Sequence, residues 1–244
     1  MSITYPCGCV NDFDRGVLKS ILKCDHHKSM QREIGELGEE YYQENGAMDP
    51  EASVRYAAEF EECFGKCEPV NPDCPFALEI GAGASHYVPM ITDAEWAYYA
   101  CEPSRWARQW MMSKYSDRFV RLNNSTWESF RGDTHAGWWK FGMILAAHSL
   151  EHMADAPAAL EKMAEYLAPG GVLYLVLPSD DDPLNPDHLW FFSAATLDLS
   201  VRMAGLVVEV LDTRQRIERE RFIYCKARKP DLGRSEEHTS ELQS

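Results

Sequence analysis

The sequence contains no apolar run of the roughly 18–20 residues that a membrane-spanning helix needs. Its first residues, MSITYPCGCVNDFDRG, contain no basic region followed by an apolar stretch, the pattern of a secretory signal, so we expect a cytoplasmic protein. Basic residues are scarce: 24 Lys and Arg stand against 39 Asp and Glu, which gives a formal net charge of −15. Because a protein that follows a nucleic-acid backbone needs a basic surface, this charge argues against nucleic acid and favours a small-molecule or protein substrate.

Disulfides are not expected in the eight cysteines, because the cytoplasm keeps thiols reduced. Two closely spaced thiols, Cys7 and Cys9, precede Cys24 and His27. Three sulfurs and one nitrogen could hold a structural Zn²⁺ ion, which would stabilise this part of the chain rather than catalyse. The Cys-x-Cys spacing is tighter than the usual Cys-x2-Cys spacing, so reduced cysteines without a metal remain the alternative.

Residues 76–228 alternate apolar runs with amphipathic segments, which predicts a mainly parallel sheet covered by helices on both faces. The strongest predicted strand is Gly171–Pro178. Helices are predicted at Ser104–Tyr115, which opens with a Ser cap, and at Pro157–Gly171, which begins with Pro and ends with Pro-Gly-Gly. The fold class is therefore α/β.

The chain divides into three parts by composition. An α/β domain is expected at residues 73–233. Residues 1–72 form an N-terminal extension, with a possible zinc-binding unit at 1–28 and a helical segment at 29–67. Residues 234–244 read RSEEHTSELQS and match the conceptual translation of a common sequencing-library adapter, so we treat them as an artefactual, disordered tail.

A glycine-rich motif, Glu79-Ile80-Gly81-Ala82-Gly83, follows the first predicted strand of the domain. Glycines let a backbone turn tightly and approach a ligand closely, and ligands of open α/β sheets bind at the carboxyl ends of the strands. A dinucleotide fingerprint would place a small residue where this chain has His86. The motif therefore favours a cofactor without a pyrophosphate, and a plain tight turn is the alternative.

Glu102 stands at the end of the second predicted strand, about twenty residues after the glycines. A carboxylate at this place can accept hydrogen bonds from both hydroxyls of a ribose. The alternative is a solvated loop charge, but the distance from the glycine motif favours the nucleoside-binding role.

The segment His148–His152 reads HSLEH and has two interpretations. The pattern His-x-x-Glu-His is also that of an inverted zinc peptidase, in which both histidines bind zinc from one long helix. Here the pattern follows a predicted strand directly, and Pro157 interrupts the chain soon afterwards. A peptidase is therefore disfavoured, and His152 is expected to be structural.

Three stretches, in this order, carry a family resemblance: ALEIGAGAS, then FGMILAAHSLEHMADAPAALEKMAEYLAPGGVLYLVLPS, then PDHLWFFSAATLDLSVRMAGL. The set resembles the class I S-adenosylmethionine-dependent methyltransferases of the broad type 11/23 group. The resemblance implies a Rossmann-like, seven-stranded, mainly parallel sheet with an antiparallel last strand. It also implies S-adenosylmethionine as the cofactor.

The resemblance assigns cofactor contacts residue by residue. The glycine loop would hold the methionine portion, Glu102 the ribose, and Pro103 the adenine, with Thr126 and Trp127 nearby. Ala147 and His148 would flank the sulfonium. The expected cofactor-binding set is Glu79, Gly81, Ala82, Gly83, Glu102, Pro103, Thr126, Trp127, Ala147 and His148. Two positions depart from the family: Gly142 stands where an Asp is usual, and Ser125-Thr126-Trp127 where Asp-Ala is usual.

Methyl transfer from a sulfonium requires the protein to position the acceptor and, for some acceptors, to remove a proton. His148 and His188 are the candidate catalytic bases, and a purely pocket-shaping role is the alternative for each. We expect a small-molecule acceptor. The alternatives are a protein or glycan acceptor, or a non-catalytic module that binds the cofactor; a dinucleotide oxidoreductase is disfavoured.

Overall fold

A computed structural model describes residues 2–4, 10–12, 49, 51–69, 74–118, 120–132, 140–179, 188–217 and 220–231. The predicted zinc ligands Cys7, Cys9, Cys24 and His27 lie outside the described residues, as do residues 234–244. Among the described residues, no helix has the length and apolarity that a membrane span requires.

The strands form two sheets. A small antiparallel pair consists of β1 (Ser2–Thr4) and β2 (Val10–Asp12). The main sheet consists of β3 (Phe76–Ile80), β4 (Ala97–Cys101), β5 (Val120–Asn123), β6 (Phe141–Ala147), β7 (Leu167–Pro178), β8 (Val207–Ile217) and β9 (Glu220–Arg228). Its seven strands lie in the order β5-β4-β3-β6-β7-β9-β8.

The main sheet has the predicted topology. Strands β3 to β7 pair in parallel, and β9 runs antiparallel between β7 and β8. The chain order reverses between β3 and β6, which are neighbours in the sheet but lie far apart along the chain. In an open α/β sheet, the crevice beside such a reversal is the usual place for a ligand. The Rossmann-like fold with an antiparallel last strand is therefore confirmed.

Helices cover both faces of this sheet. They are α1 (Ala52–Phe64), α2 (Val88–Asp93), α3 (Arg105–Lys114), a 3-10 turn (Leu150–His152), α4 (Ala156–Tyr166) and α5 (Ala194–Met203). Ser104 caps α3 as predicted, because its hydroxyl accepts a 3.3 Å hydrogen bond from the amide of Ala107.

Helix α4 ends five residues before the predicted boundary at Gly171. Its start agrees, with Asp155 accepting a 3.0 Å hydrogen bond from the amide of Ala158. The helix stops at Tyr166 because Leu167 already pairs with Phe141 of β6 and therefore belongs to the sheet. The strand β7 thus begins before the Pro-Gly-Gly turn, which the sequence pattern alone assigns to the end of the helix.

Alternate residues of β7 face two separate cores, as expected for a strand buried on both faces. Leu173 and Leu175 pack with the residues of α4 and α5, whereas Tyr174 and Val176 pack with those of α1 and α2. Helix α1 comes from the predicted N-terminal extension, and its Phe60 ring lies 4.8 Å from the ring of Tyr174. This helix therefore supplies part of the core on its face of the sheet.

Candidate functional site

The glycine loop leaves β3 at the carboxyl edge of the sheet. Gly81 and Gly83 have φ angles of 65° and 54°, in the left-handed region that side chains with a Cβ rarely adopt. The amide of Gly81 donates a 2.8 Å hydrogen bond to the carbonyl of Cys101 at the end of β4. A Cβ on Gly81 would lie only 2.5 Å from the hydroxyl oxygen of Ser149. Both the backbone conformation and the close neighbour therefore require glycine at this position.

Ser149 connects this loop to β6. Its Oγ lies 2.8 Å from the carbonyl oxygen of Ile80 and 3.0 Å from that of Ala147, and the hydroxyl can donate to either. The ends of β3 and β6 are thereby held together at the point where the strand order reverses. Ser149 is not among the residues predicted for the site, and its position within the HSLEH segment is the one sequence signal that points to it.

Glu102 is buried directly beside the glycine loop. One carboxylate oxygen accepts a 2.7 Å hydrogen bond from the amide of Gly83, and the other accepts a 2.6 Å bond from the amide of Ser104. Burial raises the pKa of Glu102, and the two amide donors act in the opposite direction. The structure thus brings the two residues that the sequence analysis paired, Glu102 and Gly83, into direct contact.

Glu79 is also buried, on the strand that leads into the loop. Its Oε2 accepts hydrogen bonds from the hydroxyl of Tyr98 at 2.5 Å and from that of Ser85 at 2.7 Å. Burial raises the pKa of Glu79 to about 7, the two hydroxyl donors lower it, and the nearby Glu102 raises it further. Neither Tyr98 nor Ser85 was predicted, since no local pattern shows which strand residues face the Glu79 carboxyl.

The residues after β5 lie beside the end of β4, where the Cys101 thiol donates a 3.0 Å hydrogen bond to the carbonyl of Ser125. Thr126 is partly exposed and accepts a 3.3 Å hydrogen bond from the amide of Ser129. The side chain of Trp127 is buried instead, and its indole N–H donates a 3.1 Å bond to the carbonyl of Ala159 in α4. At Trp127, therefore, the side chain belongs to the core.

Pro103, next to Glu102, is partly buried, and its carbonyl accepts a 2.6 Å hydrogen bond from the guanidinium of Arg108. Ala82, between the two glycines, is buried. Both therefore lie where the carboxyl ends of β3 and β4 meet.

His148 follows β6 immediately, and Ala147 before it is partly exposed. His148 has a φ of 51°, which is uncommon outside glycine, and its backbone amide donates a 2.8 Å hydrogen bond to the carbonyl of Val176. The His148 ring packs edge-on against Phe222 at 5.0 Å, and the side chain remains 34% exposed. His148 therefore sits at the open edge of the site.

Three polar side chains lie together behind His148. Glu151 is 1% exposed, and its Oε1 lies 3.9 Å from Nδ1 of His148 and 4.0 Å from Nε2 of His152. The rings of His152 and His188 are 5.0 Å apart. Burial lowers the pKa of His188 to about 3, and the neighbouring His152 and His148 act in the same direction. His188 is a candidate base predicted from the sequence, but no local pattern indicates that Glu151 and His152 lie beside it.

The departure at Gly142 has a local packing explanation. A Cβ there would lie 2.3 Å from the carbonyl oxygen of Cys74 and 2.9 Å from the Trp96 ring, so an Asp does not fit. Gly142 lies at the amino end of β6, whereas the glycine loop follows the carboxyl end of the neighbouring β3. The close approach of Cys74 and Trp96 therefore accounts for glycine at this position.

Comparisons with known proteins agree with this architecture. A family model described as a methyltransferase domain matches residues 51–211. Among curated protein sequences, none matches the chain significantly. Several solved structures are similar in fold at low sequence identity.

The N-methyltransferase NodS from Bradyrhizobium japonicum WM9, in complex with S-adenosyl-L-homocysteine, is 14% identical with a TM-score of 0.62. The match covers 85% of this chain and 100% of that chain. The 1,6-didemethyltoxoflavin-N1-methyltransferase from Burkholderia thailandensis is 16% identical with a TM-score of 0.61, and the match covers 91% of this chain and 99% of that chain.

The [4+2]-cyclase SpnF is 13% identical with a TM-score of 0.58, over 72% of this chain and 80% of that chain. The likeness to these structures shows the fold, while the family match covers most of the sequence. The chain therefore belongs to the methyltransferase domain family and is a class I S-adenosylmethionine-dependent methyltransferase.

Proposed function

We propose that this protein transfers the methyl group of S-adenosylmethionine to a small molecule, and that the cofactor binds at the carboxyl ends of β3, β4 and β6. The observation that carries the proposal is the hydrogen bond between the amide of Gly83 and the carboxylate of Glu102. It joins a backbone turn able to approach a ligand closely to an acceptor able to bind a ribose.

The described residues fit the chemical groups of this cofactor. Each oxygen of Glu102 accepts one backbone amide, and a carboxylate oxygen has a second lone pair with which it can accept a ribose hydroxyl. Glu79 offers a carboxyl group to the ammonium of the methionine portion, beside the turn formed by Gly81, Ala82 and Gly83.

At the adenine side, the fit rests on Pro103 and on the chain after β5. Thr126 is partly exposed there, whereas the buried indole of Trp127 leaves its backbone as the part available to a ligand. Ala147 and His148 lie at the end of β6, where the sulfonium side of the cofactor would be.

The cofactor, when bound, supplies an electrophilic methyl group. The protein then has to bind the acceptor in line with that group and, where the acceptor carries a proton, to remove it. His148 suits this task, since its ring is partly exposed at the edge of the site. His188 is less suited, because burial lowers its pKa to about 3 and makes the ring a weak base.

A small-molecule acceptor is supported by the acidic composition and by structural neighbours. The solved structure from Burkholderia thailandensis contains bound 1,6-didemethyltoxoflavin. A protein or glycan acceptor is the second candidate, because the glycopeptide N-methyltransferase MtfA has the same fold with a TM-score of 0.55. The cyclase SpnF has the same fold with a TM-score of 0.58, which illustrates that the fold alone does not determine the reaction.

Calorimetric titration tests the cofactor site. S-adenosylmethionine and NAD are titrated separately into the protein and into Glu102→Gln and Glu102→Ala. We expect binding of S-adenosylmethionine alone, and a loss of at least about tenfold in affinity in each variant, because a hydrogen bond to a charged group contributes ~1.5–3 kcal/mol. Glu161→Gln, on the exposed face of α4, is the matched control.

Circular dichroism and thermal melting establish that each Glu102 variant is folded. Equal affinities in folded Glu102→Ala and in the unsubstituted protein would contradict the placement of the ribose at Glu102. An absence of binding to the folded, unsubstituted protein would contradict the proposed function itself.

The predicted structural zinc site remains a proposal that rests on the spacing of Cys7, Cys9, Cys24 and His27. Metal analysis of protein purified without a histidine tag should find zinc bound to the chain. Replacing the three cysteines by Ser should lower the zinc content by about one ion per chain. An unchanged zinc content in that variant would contradict this ligand set.

A further inference from the structure

We propose that Glu151, His152 and His188 form a binding site for a divalent transition-metal ion, next to the proposed methyl-transfer site. One ligand atom from each residue lies within 4.8 Å of the other two. Bonds of roughly 2.0–2.2 Å from a zinc ion to nitrogen or oxygen place two ligand atoms at most about 4.4 Å apart. Small side-chain rotations are therefore enough to close the three groups around one ion.

The Glu151 carboxylate is the strongest sign that a cation is bound here. It is 1% exposed, and neither of its oxygens accepts a hydrogen bond from any residue that the structure describes. Removing an ionised carboxylate from water costs several kcal/mol unless a partner compensates for the lost hydration. One nitrogen of His152 and one of His188 lie within 4.8 Å of this carboxylate, and a metal ion shared with them would compensate for its lost hydration.

His188 is held against Glu151 by the backbone. The carbonyl of Glu151 accepts hydrogen bonds from the amides of Leu189 at 2.8 Å and Trp190 at 3.1 Å. The indole of Trp190 also donates a 2.8 Å bond to the carbonyl of Met153. The chain beginning at His188 is therefore fixed to the same turn that carries the other two ligands.

The imidazole of His188 is itself suited to a metal. It is 6% exposed, and its Nδ1 has no hydrogen-bond partner within the described part of the chain. Two nitrogens and one carboxylate oxygen are ligands that suit Zn²⁺, Fe²⁺, Mn²⁺ or Co²⁺.

This ligand set differs from that of a zinc peptidase. In a peptidase, the first and last residues of His-x-x-Glu-His bind the metal from one long helix. Here His152 and Glu151 lie on a short 3-10 turn, and the third ligand, His188, comes from a distant part of the chain. The arguments against a peptidase therefore do not apply to this site.

The position of the site indicates what the ion could do. Glu151 Oε1 lies 3.9 Å from Nδ1 of His148, the residue beside the sulfonium in the proposed complex. Three protein ligands leave at least one position of a four-coordinate ion open, and an oxygen or nitrogen atom of the methyl acceptor could fill it. This orienting role rests on the proposed function, whereas metal binding itself does not.

Titration with Co²⁺ tests the site, because its visible absorption reports the ligands directly. Metal-free protein is titrated as the full chain and with Cys7, Cys9 and Cys24 replaced by Ser, which removes the proposed thiol site. In the Ser variant we expect visible bands without a thiolate charge-transfer band, corresponding to one ion bound by nitrogen and oxygen ligands. The full chain should show the same bands, together with a thiolate band where the proposed thiol site also binds Co²⁺. A response from thiolates alone, which vanishes in the Ser variant, would overturn the proposal.

Two ligand variants sharpen the test. Introduced into the Ser variant, Glu151→Gln and His188→Ala should each lose at least about tenfold in Co²⁺ affinity, since even partners of metal ligands contribute 10–100-fold. Glu161→Gln and His86→Ala, in the same background, are matched controls outside the cluster and should bind Co²⁺ as the Ser variant does. Equal affinities in controls and ligand variants would overturn the proposal.

Folding and cofactor binding are measured separately. In the variant with the three cysteines replaced by Ser, Zn²⁺ should raise the melting temperature, because an ion bound only to the native state stabilises it. Adding Glu151→Gln to that variant should abolish the increase. Co²⁺ binding without S-adenosylmethionine binding would leave the metal site standing and remove the proposed function. S-adenosylmethionine binding without Co²⁺ binding at this site would overturn the metal proposal and leave the proposed function standing.

Discussion

The amide of Gly83 donates a 2.7 Å hydrogen bond to the buried carboxylate of Glu102, so that the loop after β3 is bound to the end of β4. Nineteen positions separate the two residues along the chain. Because Glu102 is held by a backbone amide rather than by a flexible side chain, its orientation depends on the conformation of the glycine loop. Changes in this loop should therefore affect both stability and cofactor affinity.

Replacing Gly81 by Ala should be more destabilising than the same change at Gly205. Both glycines have positive φ, 65° and 84°, but a Cβ at Gly205 meets open space while one at Gly81 meets Ser149 Oγ at 2.5 Å. The left-handed conformation costs about 1–2 kcal/mol in either variant. The clash should add at least about 1 kcal/mol for Gly81→Ala, measured by urea unfolding.

The double variant Gly81→Ala with Ser149→Ala separates the two causes. Ser149→Ala removes Oγ and so relieves the shortest contact. It should therefore reduce the free energy of unfolding less in the Gly81→Ala protein than in the unsubstituted protein. If the losses in free energy of unfolding caused by the two substitutions are strictly additive, the clash does not contribute to the instability of Gly81→Ala.

The stability contributed by Glu79 should depend on pH. Its pKa is about 7 in the folded protein against 4.5 as the ordinary value, because burial outweighs the hydrogen bonds from Tyr98 and Ser85, and Glu102 lies nearby. The folded state therefore favours the protonated form. This contribution is fully present below pH 4.5 and is lost as the pH rises through about 7.

Glu79→Gln mimics the protonated form and should not show this loss. Relative to the unsubstituted protein, its free energy of unfolding should be similar at low pH and higher by about 3 kcal/mol above neutrality. Glu161→Gln, an exposed substitution, is the control and should show no such pH dependence. A constant difference between Glu79→Gln and the unsubstituted protein would contradict the raised pKa.

Binding of S-adenosylmethionine should release a proton near pH 7. An ammonium group beside Glu79 favours the ionised carboxylate and so lowers its pKa on binding. Calorimetry in buffers with different ionisation enthalpies measures the number of protons released. Absence of proton release in the presence of tight binding would place the ammonium group elsewhere.

Trp127→Phe should reduce stability while leaving cofactor affinity almost unchanged. The substitution removes the hydrogen bond from the indole to Ala159 but keeps an aromatic ring in the core, so we expect a loss of about 1 kcal/mol. Affinity measured by calorimetry should change by less than about twofold, which corresponds to roughly 0.4 kcal/mol. A large loss of affinity in a folded variant would mean that the side chain contacts the cofactor.

Restoring the residue usual in the family at Gly142 should be harmful in this chain. Gly142→Asp combines a clash with Cys74 and Trp96 with a buried charge, and a loss of several kcal/mol is expected. Gly142→Ala carries the clash without the charge and should be less destabilised. Thermal melting of Gly142→Ala measures the effect of the clash, and the further loss in Gly142→Asp measures the effect of the charge. A Gly142→Ala protein as stable as the unsubstituted one would contradict the packing explanation.

Local patterns in the sequence were enough to predict the order of elements and the ends of the strands that carry the site. The apolar run at Gly171–Pro178 lies within β7 and ends with it, and the helix capped by Ser104 is present as predicted, because both patterns depend only on neighbouring residues. The end of α4 was predicted too late, because pairing of Leu167 with Phe141 is a long-range contact that the local pattern does not contain.

The sequence by itself determined the α/β class, the glycine turn and the acidic residue at the end of the second strand, because turn geometry and strand burial are properties of short segments. Only the tertiary structure decided that Tyr98 donates to Glu79 and that His188 lies beside Glu151. These contacts depend on strand pairing and on hydrogen bonds between distant parts of the chain. Such contacts stabilise the protein only when both partners are buried and water is excluded. A single segment of the chain cannot bury its own side chains in this way.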